Sequence, residues 1–242
     1  MKRFVILAYG FVCYAIFFAT FLYAIWFVFT MDATPSGPLR PISARVLIDT
    51  LLLAVFALQH SVMARQWFKR AWTRIVPVEA ERSTYVLFAS LALLLLIRFW
   101  QPLLGPIWQV QNPVGIRILQ GLFALGWLIV LGSTFLIDHF ELFGLKQVWF
   151  FFSGKEFKAL GFVTPGPYRF VRHPLYLGFL IAFWSTPTMT AGHLFFAIMT
   201  TAYLLLAIQF EEHDLTAIHG EQYRSYRKSV SMLTPWPRKK TS

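Results

Sequence analysis

Apolar runs close to the length of a bilayer core recur along these 242 residues, and they constrain the fold more than any other feature. Peptide groups in hydrocarbon find no water to bond, so such runs read as helices. Six spans are read: Phe4 to Thr30, Val46 to Ala64, Tyr85 to Trp100, Ile116 to Ile137, Leu175 to Thr186 and Leu194 to Phe210. The first follows two basic residues and is too long for a cleaved signal, so it is expected as a retained span. The last two form a tight hairpin broken by Pro187 and Gly192. The fifth is too short to cross alone, so it either thins the bilayer or packs inside protein. Charged residues make up 14% of the chain, against about a quarter in a soluble domain. The expected fold class is all-α: a polytopic membrane protein with about six transmembrane helices, or five if the C-terminal hairpin is one re-entrant unit. No linker, repeat or low-complexity tract interrupts it, so residues 1–242 read as a single domain.

Charge placement gives an expected orientation. With the N-terminus inside, the inner segments 1–3, 65–84, 138–174 and 211–242 hold 18 of the 22 lysines and arginines. The outer loops hold Arg40, Arg45, Arg98 and Arg117. This is the positive-inside pattern, which puts both termini in the cytoplasm of a bacterial-type inner membrane. The net charge of +11 is thus a signature of topology and not of nucleic-acid binding. Arg238-Lys239-Lys240 reads as a lipid-headgroup contact or a disordered tail. The lone Cys13 sits mid-span and reads as a small core residue, so neither a disulfide nor a thiolate metal site is expected.

Topology then predicts a site. The turn of the hairpin lies toward the outer face, so the start of span five and the end of span six meet at the cytoplasmic edge. That places Tyr168, Arg172, His173 and Tyr176 beside Glu211 and Glu212, some 35 residues away in sequence. Pro174 suits a first helical turn, where its missing N–H costs nothing. His173 lies at the helix cap, and the helix start favours an anion such as a carboxylate. Glu211 and Glu212 are expected at a helix C-terminus, where negative charge is unfavourable. They read either as partners for Arg172 and Arg224 or as receptors for hydroxyls and positive charge. A site with one carboxylate-accepting end and one acidic end suits a zwitterionic, ribose-bearing ligand.

Arg172-His173-Pro174 with Tyr176 and Gly178, then the acidic pair, then Gly220-Glu221 with Tyr223 and Tyr226, resembles the isoprenylcysteine carboxyl methyltransferase-like membrane methyltransferases. The resemblance covers about the last 80 residues and implies S-adenosylmethionine as cofactor, with a cofactor half over about 160–230. It implies cofactor contacts at Leu160, Gly161, Phe162, Val163, Tyr168, His173, Pro174, Leu175, Tyr176 and Glu211, with Arg172 and Glu212 alongside. One departure matters. Those enzymes carry an arginine one turn before the glutamate for the substrate carboxylate, whereas this chain has Ala207-Ile208-Gln209. A prenylcysteine acceptor is thereby disfavoured.

The first half is similar to the NnrU-like branch of these proteins, through Phe56 to Ala64, Asp138 to Leu145 and Pro187-Thr188-Met189-Thr190. Within that branch the resemblance implies a small-thiol acceptor: methanethiol giving dimethyl sulfide, or hydrogen sulfide giving methanethiol. A thiol with a pKa above the ~8.5 of cysteine needs help to ionise. His139 and Asp138, after span four, and His60, in span two, are the candidate base or orienting residues. Each has a plain structural alternative: a packing histidine for His60, a helix end and loop cap for Asp138 and His139. His193 and His219 read as structural. Two other functions stay open: a haem-binding redox or isomerase protein with His60 and His139 as axial ligands, and a non-catalytic assembly or transport factor. The partners expected are a small thiol and the lipid bilayer, with no nucleic acid.

Overall fold

A computed structural model describes residues 1–31, 39–158 and 161–234. Leu160 and the Arg238-Lys239-Lys240 run lie outside the described residues. Five helices are long and apolar enough to cross a membrane: α1 (Lys2–Phe29), α2 (Ile42–Ala64), α4 (Val78–Phe99), α5 (Pro113–Ile137) and α9 (Ala191–His219). Shorter helices are α3 (Gln66–Trp72), α6 (His139–Leu142), α7 (Leu145–Phe152), α8 (Pro174–Trp184) and α10 (Glu221–Ser229). Two short strands, β1 (Pro106–Gln109) and β2 (Thr188–Thr190), pair with each other. The chain is an all-α integral membrane protein apart from that pair, and it divides into two compact units.

The first unit comprises residues 1–107, 139–159 and 189–193. Half of the most apolar window of α4 is buried, against 22% for α1 and α2, so α4 is the central helix and its neighbours face lipid. α4 starts seven residues before the expected span, at Val78, which brings Glu79, Glu81 and Arg82 into its first turns. Pro77 at its cap and a run of good helix formers extend it beyond the apolar stretch. Arg82 Nε donates to the Leu142 carbonyl at 2.7 Å, fixing the turn between α6 and α7 against α4. Gly144 in that turn has φ +86, and a Cβ there would stand 2.6 Å from Ser83 Oγ, so the approach requires glycine.

The second unit comprises residues 108–138, 160–188 and 194–242. Pro113 sits in the first turn of α5, and the Asn112 side chain caps it by accepting from Val114 N–H at 2.9 Å and Gly115 N–H at 3.2 Å. α8 rises only ~16 Å over its eleven residues, about half a hydrocarbon core. It packs on α5 instead. A Cβ on Gly126 would meet Ala182 N at 2.6 Å, and one on Gly178 would meet the Gly126 carbonyl at 2.7 Å. The two backbones touch there, as small residues allow between membrane helices. The acidic pair is not at a helix end as expected. α9 continues for two more turns to His219, and Gly220, at φ +56, ends it. The apolar pattern stops at Phe210 because the hydrocarbon stops there, whereas the helix continues until its backbone meets a breaker.

Candidate active site

The turn leading into α8 is built by backbone pairing. Arg172 N–H donates to the Ser231 carbonyl at 2.8 Å, and His173 N–H to the Met232 carbonyl at 3.2 Å. The segment after α10 therefore lies parallel to residues 171–173 and holds them. Pro174 follows as the first helical residue, and His173 occupies the cap.

Glu211 and Glu212 divide their labour. Glu212 is 2% exposed. Its Oε1 accepts from Arg172 Nε at 2.7 Å and His173 Nε2 at 3.1 Å, and its Oε2 from Arg227 Nε at 2.9 Å. Arg172 is equally buried and also donates through Nη1 to the carbonyls of Arg227 and Val230. Two buried charges thus neutralise each other with their hydrogen-bonding groups paired, the condition under which such a pair is tolerated. Glu211, one residue earlier, turns outward with a side chain that is 43% exposed. It accepts from the Tyr176 hydroxyl at 2.7 Å, and His173 Nδ1 stands 3.9 Å away.

Three tyrosines frame this end of the unit. The Tyr226 hydroxyl donates to the Tyr168 carbonyl, and the Tyr168 hydroxyl meets the Ser133 side chain. Burial pushes the Tyr226 hydroxyl up to about 12, with the Arg172 charge opposing the rise. Burial raises Tyr168 and Tyr223 as well, helped by the charges of Glu211 and Glu212 respectively. All three stay neutral near pH 7; Tyr168 and Tyr226 act as hydrogen-bonding groups, whereas the buried Tyr223 hydroxyl meets no hydrogen-bond partner among the described residues. Phe162 packs its ring against His219, Tyr223 and Tyr226, at centroid distances of 5.4, 5.6 and 5.3 Å.

The residues singled out in sequence are therefore brought together: Tyr168, Arg172, His173, Tyr176, Glu211 and Glu212 share one end of this unit. They differ in access. Tyr168, Leu175, Tyr176 and Glu211 are half-buried and Gly161 and Val163 are exposed, whereas Arg172, His173, Pro174 and Glu212 are buried. Arg224, expected as a partner of the acidic pair, instead pairs with Glu221, and Arg227 takes its place at Glu212. Arg227 and the carbonyls of residues 230–232 were missed. Arg227 lies one helical turn beyond the buried Tyr223, which is the signal that could have found it.

The first unit holds the two other candidate histidines, His60 and His139. His139 is buried, its Nε2 2.8 Å from the Tyr14 hydroxyl and its ring edge-on to Phe140 and Phe143. His60 meets the Tyr85 hydroxyl at 3.0 Å through Nε2 and stacks on Phe56. In both, the Nε2 that an axial haem ligand would use meets a tyrosine hydroxyl. Asp138, assigned to the second unit, caps α5 with its N–H on the Thr134 carbonyl at 3.1 Å. His193 is buried, and the His219 ring packs against Phe162.

Residues 117–222 match the family model described as phospholipid methyltransferase. The chain is 53% identical to a methanethiol S-methyltransferase of Mycobacterium tuberculosis, over the whole length of both. It is 52% identical to a methanethiol S-methyltransferase of Crocosphaera subtropica, covering all of this chain and 96% of the other. A more distant relative is nurim of Xenopus laevis, 34% identical across 74% of this chain and 65% of its own. No solved structure matches the chain. With half of its residues identical to theirs from end to end, the chain belongs to the methanethiol S-methyltransferase family of integral membrane enzymes.

Proposed function

We propose that this enzyme uses S-adenosylmethionine to methylate methanethiol to dimethyl sulfide. The observation that carries the reading is the end-to-end identity with two proteins named for that acceptor. Hydrogen sulfide, smaller by one methyl group, is the next acceptor of the same class. The missing cation at Ala207-Ile208-Gln209 supports a neutral, carboxylate-free acceptor over a prenylcysteine.

The residues present suit the cofactor. Glu211 keeps carboxylate surface open beside the neutral Tyr176 hydroxyl, a pair suited to ribose hydroxyls or an ammonium group. Tyr168, Leu175 and the segment Gly161 to Val163 offer half-buried and exposed contact surface around it. Arg172, His173 and Glu212 act one layer back: they hold the turn that carries Tyr176. S-adenosylmethionine would supply an electrophilic methyl group on a sulfonium, whose methyl–sulfur bond breaks to leave S-adenosylhomocysteine. The acceptor must lose its S–H proton as its sulfur gains the new S–C bond, and we assign that proton to His139. The Tyr14 hydroxyl, 2.8 Å from Nε2, supports this, because it holds the ring in one orientation. Asp138 and His60 are the alternatives. We further place the enzyme in a bacterial inner membrane with both termini cytoplasmic, on the lysine and arginine bias.

The test is methyl transfer from labelled cofactor in detergent or nanodiscs, against methanethiol, hydrogen sulfide, longer thiols and a prenylcysteine. Labelled dimethyl sulfide is expected. Methylation of the prenylcysteine with none of methanethiol would overturn the acceptor while leaving the cofactor assignment standing.

A further inference from the structure

A cleft of about 330 Å³ opens at the end of α9, lined by Gln209, Glu212, His213, Thr216, Ala217, Arg224 and Arg227. Its position relative to the lipid-facing surface is what makes it informative. Ile198, Ala202, Leu205 and Gln209 fall at helical spacing on one face of α9, and all are exposed. That apolar stripe leads straight into Gln209, His213 and Thr216 as the helix leaves the hydrocarbon. From Leu205 to Gln209 the rise is ~6 Å, so an acyl chain against Ala202 and Leu205 delivers a headgroup into the cleft.

The walls suit an anion. Arg224 and Arg227 come from α10, which is amphipathic and ends in Arg227 and Lys228. Gln209 and His213 are exposed polar groups on the facing helix. The acidic groups nearby are already engaged: Glu212 with Arg172, His173 and Arg227, Glu221 with Arg224, and Asp214 with His213 at 3.6 Å. The side chains of Arg224 and Arg227 are both half-exposed, which puts two guanidinium groups within reach of a phosphate in the cleft. The expected orientation puts this end in the leaflet that carries anionic lipid.

We propose that this cleft binds one anionic phospholipid, with its phosphate on Arg224 and Arg227 and an acyl chain along Ala202 and Leu205. The site is independent of the methyl-transfer reading, since it uses no acceptor or cofactor. It does touch that machinery, because Arg227 bonds the same Glu212 that holds Arg172.

The experiment uses the full chain in nanodiscs of equal phosphatidylglycerol and phosphatidylcholine, extracted gently, with retained lipid counted by mass spectrometry. Phosphatidylglycerol should be enriched several-fold on the wild-type protein. Arg224→Gln and Arg227→Gln should each lower that enrichment by about five-fold, the worth of one cation near a lipid surface. Ala202→Trp should lower retention of both lipids by filling the acyl track. Millimolar glycerophosphate should displace neither. Equal retention of the two lipids by the wild type, or enrichment unchanged in the Arg224→Gln variant, overturns the proposal. Displacement by glycerophosphate overturns the lipid as occupant in favour of a soluble phosphate. Should Arg227→Gln fold poorly through its link to Glu212, the exposed Arg224 and Ala202 variants still decide.

Discussion

His173 donates its Nε2 proton to Glu212 Oε1 at 3.1 Å, and the carboxylate it leaves exposed is the adjacent Glu211. Adjacent residues on a helix point about 100° apart, so one glutamate of the pair faces the buried arginine while the other faces out. The acidic pair is therefore a structural anchor and a ligand-facing group side by side, and substitutions should separate the two.

Glu211→Ala should leave thermal stability close to wild type and weaken cofactor binding by ~1–3 kcal/mol, the worth of a lost hydrogen bond to a ligand. Glu212→Ala should do the reverse first. It strands Arg172 in a site where the partner has gone, at a cost of about 3–5 kcal/mol in stability. Thermal unfolding in detergent together with calorimetry of cofactor binding reads both effects. Equal destabilisation by the two variants would remove the distinction.

The α5–α8 contact makes a sharper stability prediction. Gly178→Ala forces a Cβ to within 2.7 Å of the Gly126 carbonyl, so the helices must part, at a cost of ~1–3 kcal/mol. Gly132→Ala on the same α5 meets nothing within 4 Å and should be neutral or slightly stabilising. Comparing unfolding midpoints of the two variants checks this. A neutral Gly178→Ala would mean that the helices do not touch at backbone distance.

The C-terminal segment should matter out of proportion to its length. Ending the chain after Ser229 removes the carbonyls of Val230, Ser231 and Met232, which receive Arg172 Nη1, Arg172 N–H and His173 N–H. Cofactor binding should fall at least ten-fold, since three bonds worth about 1 kcal/mol each hold that turn. Ending it after Thr234 keeps all three and should preserve binding. A truncation at 229 with unaltered affinity would refute the role of this strand.

His139→Ala should lower turnover ~10²–10⁴-fold with little effect on cofactor affinity, as expected of a proton acceptor. Tyr14→Phe removes the hydroxyl at Nε2 and should shift the pH–rate profile rather than abolish turnover. Steady-state kinetics over pH 6–9 with methanethiol as acceptor distinguishes these. An unchanged rate in His139→Ala would pass the assignment to Asp138 or His60.

Much of the molecule was legible from residue order alone. The spans follow from apolar length, because hydrocarbon admits a helix and little else. The meeting of Tyr176 with Glu211 follows from the hairpin, since the two ends of a helix pair must return to the same side. Pro174 marks a helix start through its own backbone chemistry. What residue order left open was the partner of each charge. Nothing local distinguishes Glu211 from Glu212. Only the packing of α10 and the 230–232 strand against residues 171–173 decides which carboxylate is buried. The end of α9 was misplaced for a related reason. Hydropathy reports where the membrane ends, but a helix ends where its backbone hydrogen bonds do, and here that is seven residues later than Glu212. Sequence determines which groups are available and roughly at what depth. Burial, which sets whether a charge is a support or a receptor, depends on neighbours distant in the chain and is decided by the tertiary structure.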